Sequence, residues 1–283
     1  MLQRAKDTME RLKKTLPFRT FLRYGRLRGN RLAGAVSFYG FISLFPMLIV
    51  AAAVVAQIAG PERIANLQEI VDENLPGLDL NVTVFVDNAG TIGLIGGVAL
   101  LWSGLSWVDA MRAAVRSMWE KDDQPGNIVV RKALDLGALV GLGLVLALSW
   151  AATVLVGSAA DQILDWIGLE SAVLGRVAAL ILAVLSSSAL FAYLLSGLPR
   201  IRVAWRVLIP ISLVGGLVFE LLKQVVTQFA VLAAPDSTYA AFAVPLALVG
   251  WIYVVTRVLM LLAAFAAEWA YDARRLGPII QAA

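Results

Sequence analysis

This sequence predicts an all-α polytopic membrane protein with six transmembrane helices and both termini in the cytoplasm. Three observations carry that expectation. The 283-residue chain is 60% hydrophobic and 16% charged, with a mean hydropathy of +0.79, whereas soluble domains run at about 45–50% apolar and about 25% charged. Six segments reach the roughly 20 apolar residues that a helix needs to cross a bilayer. The connections between them alternate between basic-rich and basic-poor, as the positive-inside rule requires of successive loops.

The spans are read in order. The first covers about Leu32 to Ala59, and Pro46 near its centre should kink the helix because proline donates no backbone hydrogen bond. It is too long for the apolar core of a cleaved signal peptide, which runs to about 7–15 residues. The second covers about Thr91 to Met111, with an amphipathic end reaching Trp119. The third covers about Leu134 to Val156 and the fourth about Val173 to Leu195. The fifth covers about Val207 to Leu232 and the sixth about Tyr239 to Trp269.

Charge sets the expected orientation. Ten basic residues precede the first span, from Arg4 to Arg31. The first connection has Arg63 against Glu62, Glu69, Asp72, Glu73, Asp79 and Asp87. The second is basic, with Arg112, Arg116, Lys121, Arg131 and Lys132. The third carries Asp161, Asp165 and Glu170, the fourth Arg200, Arg202 and Arg206, the fifth only Asp236, and the tail Arg274 and Arg275. An even number of spans with cytoplasmic ends satisfies this alternation. Residues 1–31 then form a basic cytoplasmic arm, read as an interfacial helix on an anionic leaflet because Leu2, Ala5, Met9, Leu12 and Leu16 share a helical face. Residues 32–272 form the membrane domain, 62–75 an amphipathic external segment, and 273–283 a cytoplasmic tail.

Composition also excludes chemistry. Cysteine and histidine are both absent, which removes thiolate nucleophiles, disulfides and the commonest general base and transition-metal ligand. The reading is of a protein that is not an enzyme, with no catalytic residue, metal site or cofactor. The net charge of +4 is explained by cytoplasmic loops, so no nucleic-acid partner is expected.

Four stretches resemble one family. They are "AGAVSFYGFISLFPMLIV", "LLWSGLSWVDAMRAAVRSMW", "YLLSGLPRIRVAWRVLIPISLVGGLVFELLKQVVTQFAV" and "YAAFAVPLALVGWIYVVTRVLMLLAAFAAEWAY". Together they cover about residues 30 to 272. The chain is similar in these to the YihY/BrkB family of bacterial inner-membrane proteins, whose last span usually ends in a Gly-Ala-Glu run. Here that run is Ala266-Ala267-Glu268. The resemblance implies a six-span protein of the bacterial plasma membrane. It links the chain to resistance to host killing and to export of envelope lipid precursors. An older label of ribonuclease BN is regarded as mistaken, and no catalytic motif carries over.

Charges at the centre of a membrane helix cost about 2.5–3.5 kcal/mol each on insertion scales and mark candidate sites. In span five, Ser212, Gly216, Glu220, Gln224 and Thr227 form one stripe with Lys223 beside it. Two readings stand: a substrate or ion pathway through Glu220, Lys223 and Gln224, or a polar seam that joins helices. In span two, Asp109 and Arg112 could form a site for an anionic headgroup, with Arg116 snorkelling to the interface. In span six, Arg257 calls for a partner, with Asp109 or Glu220 the candidates, while Glu268 is read as solvated. The pairs Gly93/Gly97 and Gly137/Gly141 are read as close helix contacts.

The functional expectation is movement of an amphipathic or lipid-linked anionic envelope compound through a polar cavity lined by spans two, five and six. The alternative is a non-transporting membrane scaffold or envelope-assembly partner. Expected partners are membrane lipids, through the basic arm, and a second copy or an envelope protein. A ribonuclease is disfavoured, because the cytoplasmic carboxylates have no metal-binding spacing.

Overall fold

The computed structural model describes residues 15–58, 89–145, 148, 172–232 and 240–280. Among these residues it is helical, with no strand. The elements are α1 (Leu16–Arg26), α2 (Gly29–Ile58), α3 (Ala89–Met118), α4 (128–145), α5 (Ala172–Ala192), a π-helical turn (Tyr193–Gly197), α6 (Trp205–Leu232) and α7 (Ala240–Ile280). Four stretches among the described residues are long and apolar enough to cross a membrane: Gly93–Met118, Leu180–Gly197, Trp205–Val226 and Pro245–Asp272. The first expected span falls on α2, and the third is described as helix from 128 to 145. Residues 1–14 of the expected interfacial helix and the expected external segment 62–75 lie outside the described residues.

Local chemistry explains the ends of these helices. Pro17 stands in the first turn of α1, where a missing N–H costs nothing, and Arg23 and Arg26 stand in its last turn, where the helix dipole favours cations. Arg28 then takes a left-handed backbone (φ 56°) and turns the chain into α2. That corner requires glycine at position 29, since a Cβ there would lie 2.3 Å from the Tyr24 ring. The Tyr24 hydroxyl donates to Asn30 Oδ1 at 2.7 Å. Pro46 lies inside α2, which continues to Ile58. The Asn127 side chain caps α4 by accepting the Val129 N–H at 2.8 Å. At the end of α5 the ladder widens, and the Leu198 N–H donates to the Tyr193 carbonyl five residues back. The tail expected from residue 273 is helical to Ile280, as a continuation of α7.

The chain divides into two compact units, residues 38–107 and the remainder. In the smaller unit, Gly96 packs on Ile49, where a Cβ would approach to 2.7 Å. In the larger unit the fully buried apolar residues gather at one pole. They include Ala33 and Val36 near the start of α2, Val115 and Met118 at the end of α3, Leu195 and Leu198 after α5, Val207 and Ile211 at the start of α6, and Met260 and Ala263 in the second half of α7. Elsewhere the helices present large apolar side chains outward, as on Leu180, Ile181, Leu213 and Leu217, the surface a lipid solvent would wet.

Small residues let the helices meet. Gly216 lies directly against α5: a Cβ there would stand 2.3 Å from Ser188 Oγ and 2.7 Å from both Ser188 N and Val184 O. Gly215 meets Phe191 and Leu262 in the same way, so adjacent glycines serve both neighbours of α6. Gly141 accepts the Tyr193 ring edge, whereas Gly97 and Gly137 have nothing within 4 Å of where a Cβ would be. Of the glycines expected at close helix contacts, Gly141 makes one, whereas Gly97 and Gly137 do not. The structure adds Gly96, Gly215 and Gly216.

Gly216→Ala should destabilise the protein by about 1–3 kcal/mol, the usual cost of overpacking. Gly97→Ala should leave stability unchanged. Thermal melts in detergent compare the two directly, and equal melting temperatures would contradict the α5–α6 packing.

Candidate functional site

Two groups of charged residues are built into the larger unit, and they differ in kind. The first closes the pole. Arg112 of α3 is 0% exposed, and so is Asp135 of α4. Arg112 Nε donates to Asp135 at 3.0 Å, one terminal nitrogen donates to the Asp123 carbonyl at 2.5 Å, and the other pairs with Asp109. Arg200, which follows the π turn, pairs with the same Asp135. Lys132 adds a bond to Asp109 at 3.1 Å. Arg116 is held by the Asp122 and Pro199 carbonyls. One buried carboxylate thus ties the end of α3, the start of α4 and the α5–α6 connection together.

A second knot lies on the same pole. Arg23 of α1, 4% exposed, donates to the Met118 carbonyl, Glu268 and Glu120, each at 2.8 Å, and stands 5.0 Å from the Tyr271 ring. Arg19 bonds Glu268 and Asp272 of α7. Asp272 and Glu268 hold the Arg19 guanidinium above its ordinary pKa, against a smaller opposing effect of burial. Burial raises the Tyr24 hydroxyl, and the nearby Arg257 guanidinium works against that rise.

The second group lies within the spans. Glu220, 13% exposed on α6, accepts the Ser187 hydroxyl of α5 at 2.5 Å and the Lys223 ammonium at 2.7 Å. Lys223 is 44% exposed and stands 5.2 Å from the Phe219 ring. Along α6 the stripe runs from buried Ser212 and Gly216 through half-buried Glu220 to exposed Gln224. It begins as a packed seam against α5 and opens away from the pole.

The expected residues are therefore partly united. Asp109 and Arg112 pair with each other, and Glu220 pairs with Lys223. Arg257 joins neither: it is exposed, lies near Tyr24, and makes no ion pair among the described residues. Its expected pairing with Asp109 or Glu220 is thus corrected, since Lys132 and Arg112 occupy the first and Lys223 the second. Glu268 is not simply solvated but ion-paired with Arg19 and Arg23. A cleft among α1, α6 and α7, about 320 Å³ in volume, is lined almost wholly by apolar groups and contains none of the expected site residues. The described residues hold no cluster of metal-binding side chains.

Sequence reasoning missed Asp135, Ser187 and the internal roles of Arg23 and Arg200. Asp135 carried a readable signal. It is a carboxylate one residue inside an apolar run, three and four residues after Lys132 and Arg131, and such a group demands a partner. Ser187 sits in the run Ser186-Ser187-Ser188 in an apolar helix, a pattern that marks a helix contact.

A family model described as "Virulence factor BrkB" matches residues 20–279. The chain belongs to the BrkB family. It is similar to the inner membrane protein YhjD of Escherichia coli, with 28% identity over 279 residues that cover 90% of this chain and 81% of that protein. It is similar also to an uncharacterized protein of Dickeya dadantii, with 28% identity over 262 residues that cover 87% of this chain and 80% of that one. No solved structure matches. This BrkB-family chain is accordingly a membrane protein, and its relatives bear no catalytic name.

Asp135→Asn should destabilise the protein by about 3–5 kcal/mol, because Arg112 would then be buried without its principal counter-charge. The double replacement Arg112→Met with Asp135→Leu should recover most of that loss. A double-mutant cycle read by denaturant or thermal unfolding in detergent checks this, and strict additivity would show that the two residues are not coupled.

Proposed function

We propose that this BrkB-family protein is a six-span protein of the bacterial inner membrane with both termini in the cytoplasm. We infer further that it moves an amphipathic or lipid-linked anionic envelope compound across or within the membrane. The polar face of span five, α6, is the pathway, flanked by spans two and six. The observation that carries this reading is Glu220. It sits halfway along α6, bonded to Ser187 and Lys223, on a stripe whose exposure rises toward Gln224. A carboxylate at that depth costs too much to be incidental on a lipid-facing helix. Glu220 supplies a site that responds to a cation or proton. Lys223 and Arg257 supply positive charge for an anionic group within the spans. Asp109 and Arg112 enter as the rigid cytoplasmic end of span two, since Arg112 spends its donors inside the protein. The inner-membrane relative supports the proposed location.

A scaffold reading has its own support. The closed ion networks at the pole tie α1, α3, α4, α7 and the α5–α6 connection together, as a docking platform requires.

In reconstituted vesicles, Glu220→Gln and Arg257→Gln should each slow movement of a labelled anionic lipid at least about tenfold, or about 1.4 kcal/mol on the barrier. Equal rates for wild type and both variants would remove these residues from the pathway. A wild type with no movement at all, together with a stable crosslinked partner, would favour the scaffold.

A further inference from the structure

The apolar cleft among α1, α6 and α7 has no part in the pathway just described. Its walls include Pro17 of α1, Pro210 and Val214 of α6, and Leu262, Phe265 and Trp269 of α7. Thr20 also lines it, but its hydroxyl is spent on the Leu16 carbonyl at 2.9 Å. Water in such a space would find almost no polar partners, and water needs two to four.

The walls on α6 and α7 lie inside two stretches long and apolar enough to cross a membrane, Trp205–Val226 and Pro245–Asp272. They occupy the second and third turns of the first and the last few turns of the second. Both are near the pole, so a bilayer spanned by these stretches would set the cleft at the depth of one leaflet's acyl chains.

Charge supplies the remaining element. Arg206, Pro210 and Val214 are spaced four residues apart on α6, so they share one face. Arg206 stands about 6 Å along the helix axis from Pro210, toward the pole, at 1.5 Å per residue. It is exposed, lies 5.4 Å from the Trp205 ring, and makes no ion pair among the described residues. Arg202 nearby is exposed as well. The carboxylates on this side, Glu268 and Asp272, are neutralised by Arg19 and Arg23. An apolar slot under an available guanidinium is complementary to an acyl chain under a phosphate, which arginine binds bidentately.

We propose that this cleft binds one acyl chain of an anionic membrane phospholipid, with the lipid phosphate held at Arg206. The site stands whether or not the protein transports anything.

The test uses the full chain reconstituted with phosphatidylglycerol or phosphatidylcholine that carries a photoactivatable group on one acyl chain. Adducts are mapped by peptide mass spectrometry. Adducts at residues 210–214 and 261–269 should exceed those on the outward residues Leu217 and Leu221. They should also be about fivefold more abundant with phosphatidylglycerol, the worth of one interfacial arginine at an anionic surface. Arg206→Gln should abolish that preference. Val214→Trp should remove the adducts, and Val214→Ala, which leaves the cleft open, should retain them and so control for folding. Labelling no greater than at Leu217 and Leu221, or labelling indifferent to headgroup charge, would overturn the proposal.

Discussion

Asp135 is the group on which the larger unit depends. It is wholly buried and faces two guanidinium groups, Arg112 and Arg200, which arrive from different parts of the chain. A buried ion pair adds little net stability, because desolvation offsets most of the attraction. Its importance is geometric. Once a carboxylate is buried at that point, no arrangement that leaves either arginine elsewhere is tolerable, so the end of α3, the start of α4 and the α5–α6 connection have one way to meet. The backbone conforms to this. Arg200 takes a left-handed conformation (φ 56°), as does Glu120 (φ 51°) in the neighbouring knot, and non-glycine residues adopt that region only where the surroundings require it.

The spans follow a different logic. Lipid tails are as apolar as leucine, so burying a leucine between helices gains little over leaving it in the bilayer. Close backbone approach and polar bonds have to hold the helices together. Gly215 and Gly216 admit α5 and α7 to α6, and the Ser187–Glu220 bond adds a directional link between α5 and α6. The tight, apolar-plus-ionic pole and the looser polar seam are thus two solutions for two environments along the same helices.

Much of this was legible in the chain. Apolar run length gave the helical class and the approximate bounds of α2, α3, α5, α6 and α7, because in lipid a backbone must satisfy its own hydrogen bonds. The four-residue spacing of Ser212, Gly216 and Glu220 correctly placed them on one face. Pairing between helices was less legible. Nothing in the spacing of Arg257 says that it lies near Tyr24 rather than Asp109, because one-dimensional periodicity fixes a face but not the neighbour that face meets. Glu268 was read as solvated because it lies near the end of an apolar run. Its partners, Arg19 and Arg23, come from the opposite end of the chain, which no local pattern could reveal.

That last pairing has a consequence in time. Arg23 and Glu268 are separated by 245 residues, and Arg19 and Glu268 by 249. At translation rates of about 5–20 residues per second, roughly 10 to 50 seconds pass between synthesis of the arginines and of their carboxylate. For that interval the positive charges of α1 have no acidic partner on α7. The native contact forms only when the last span has been delivered. The knot therefore records synthesis of α7: it closes α1 against α7 and secures α1 only once Glu268 and Asp272 have been made.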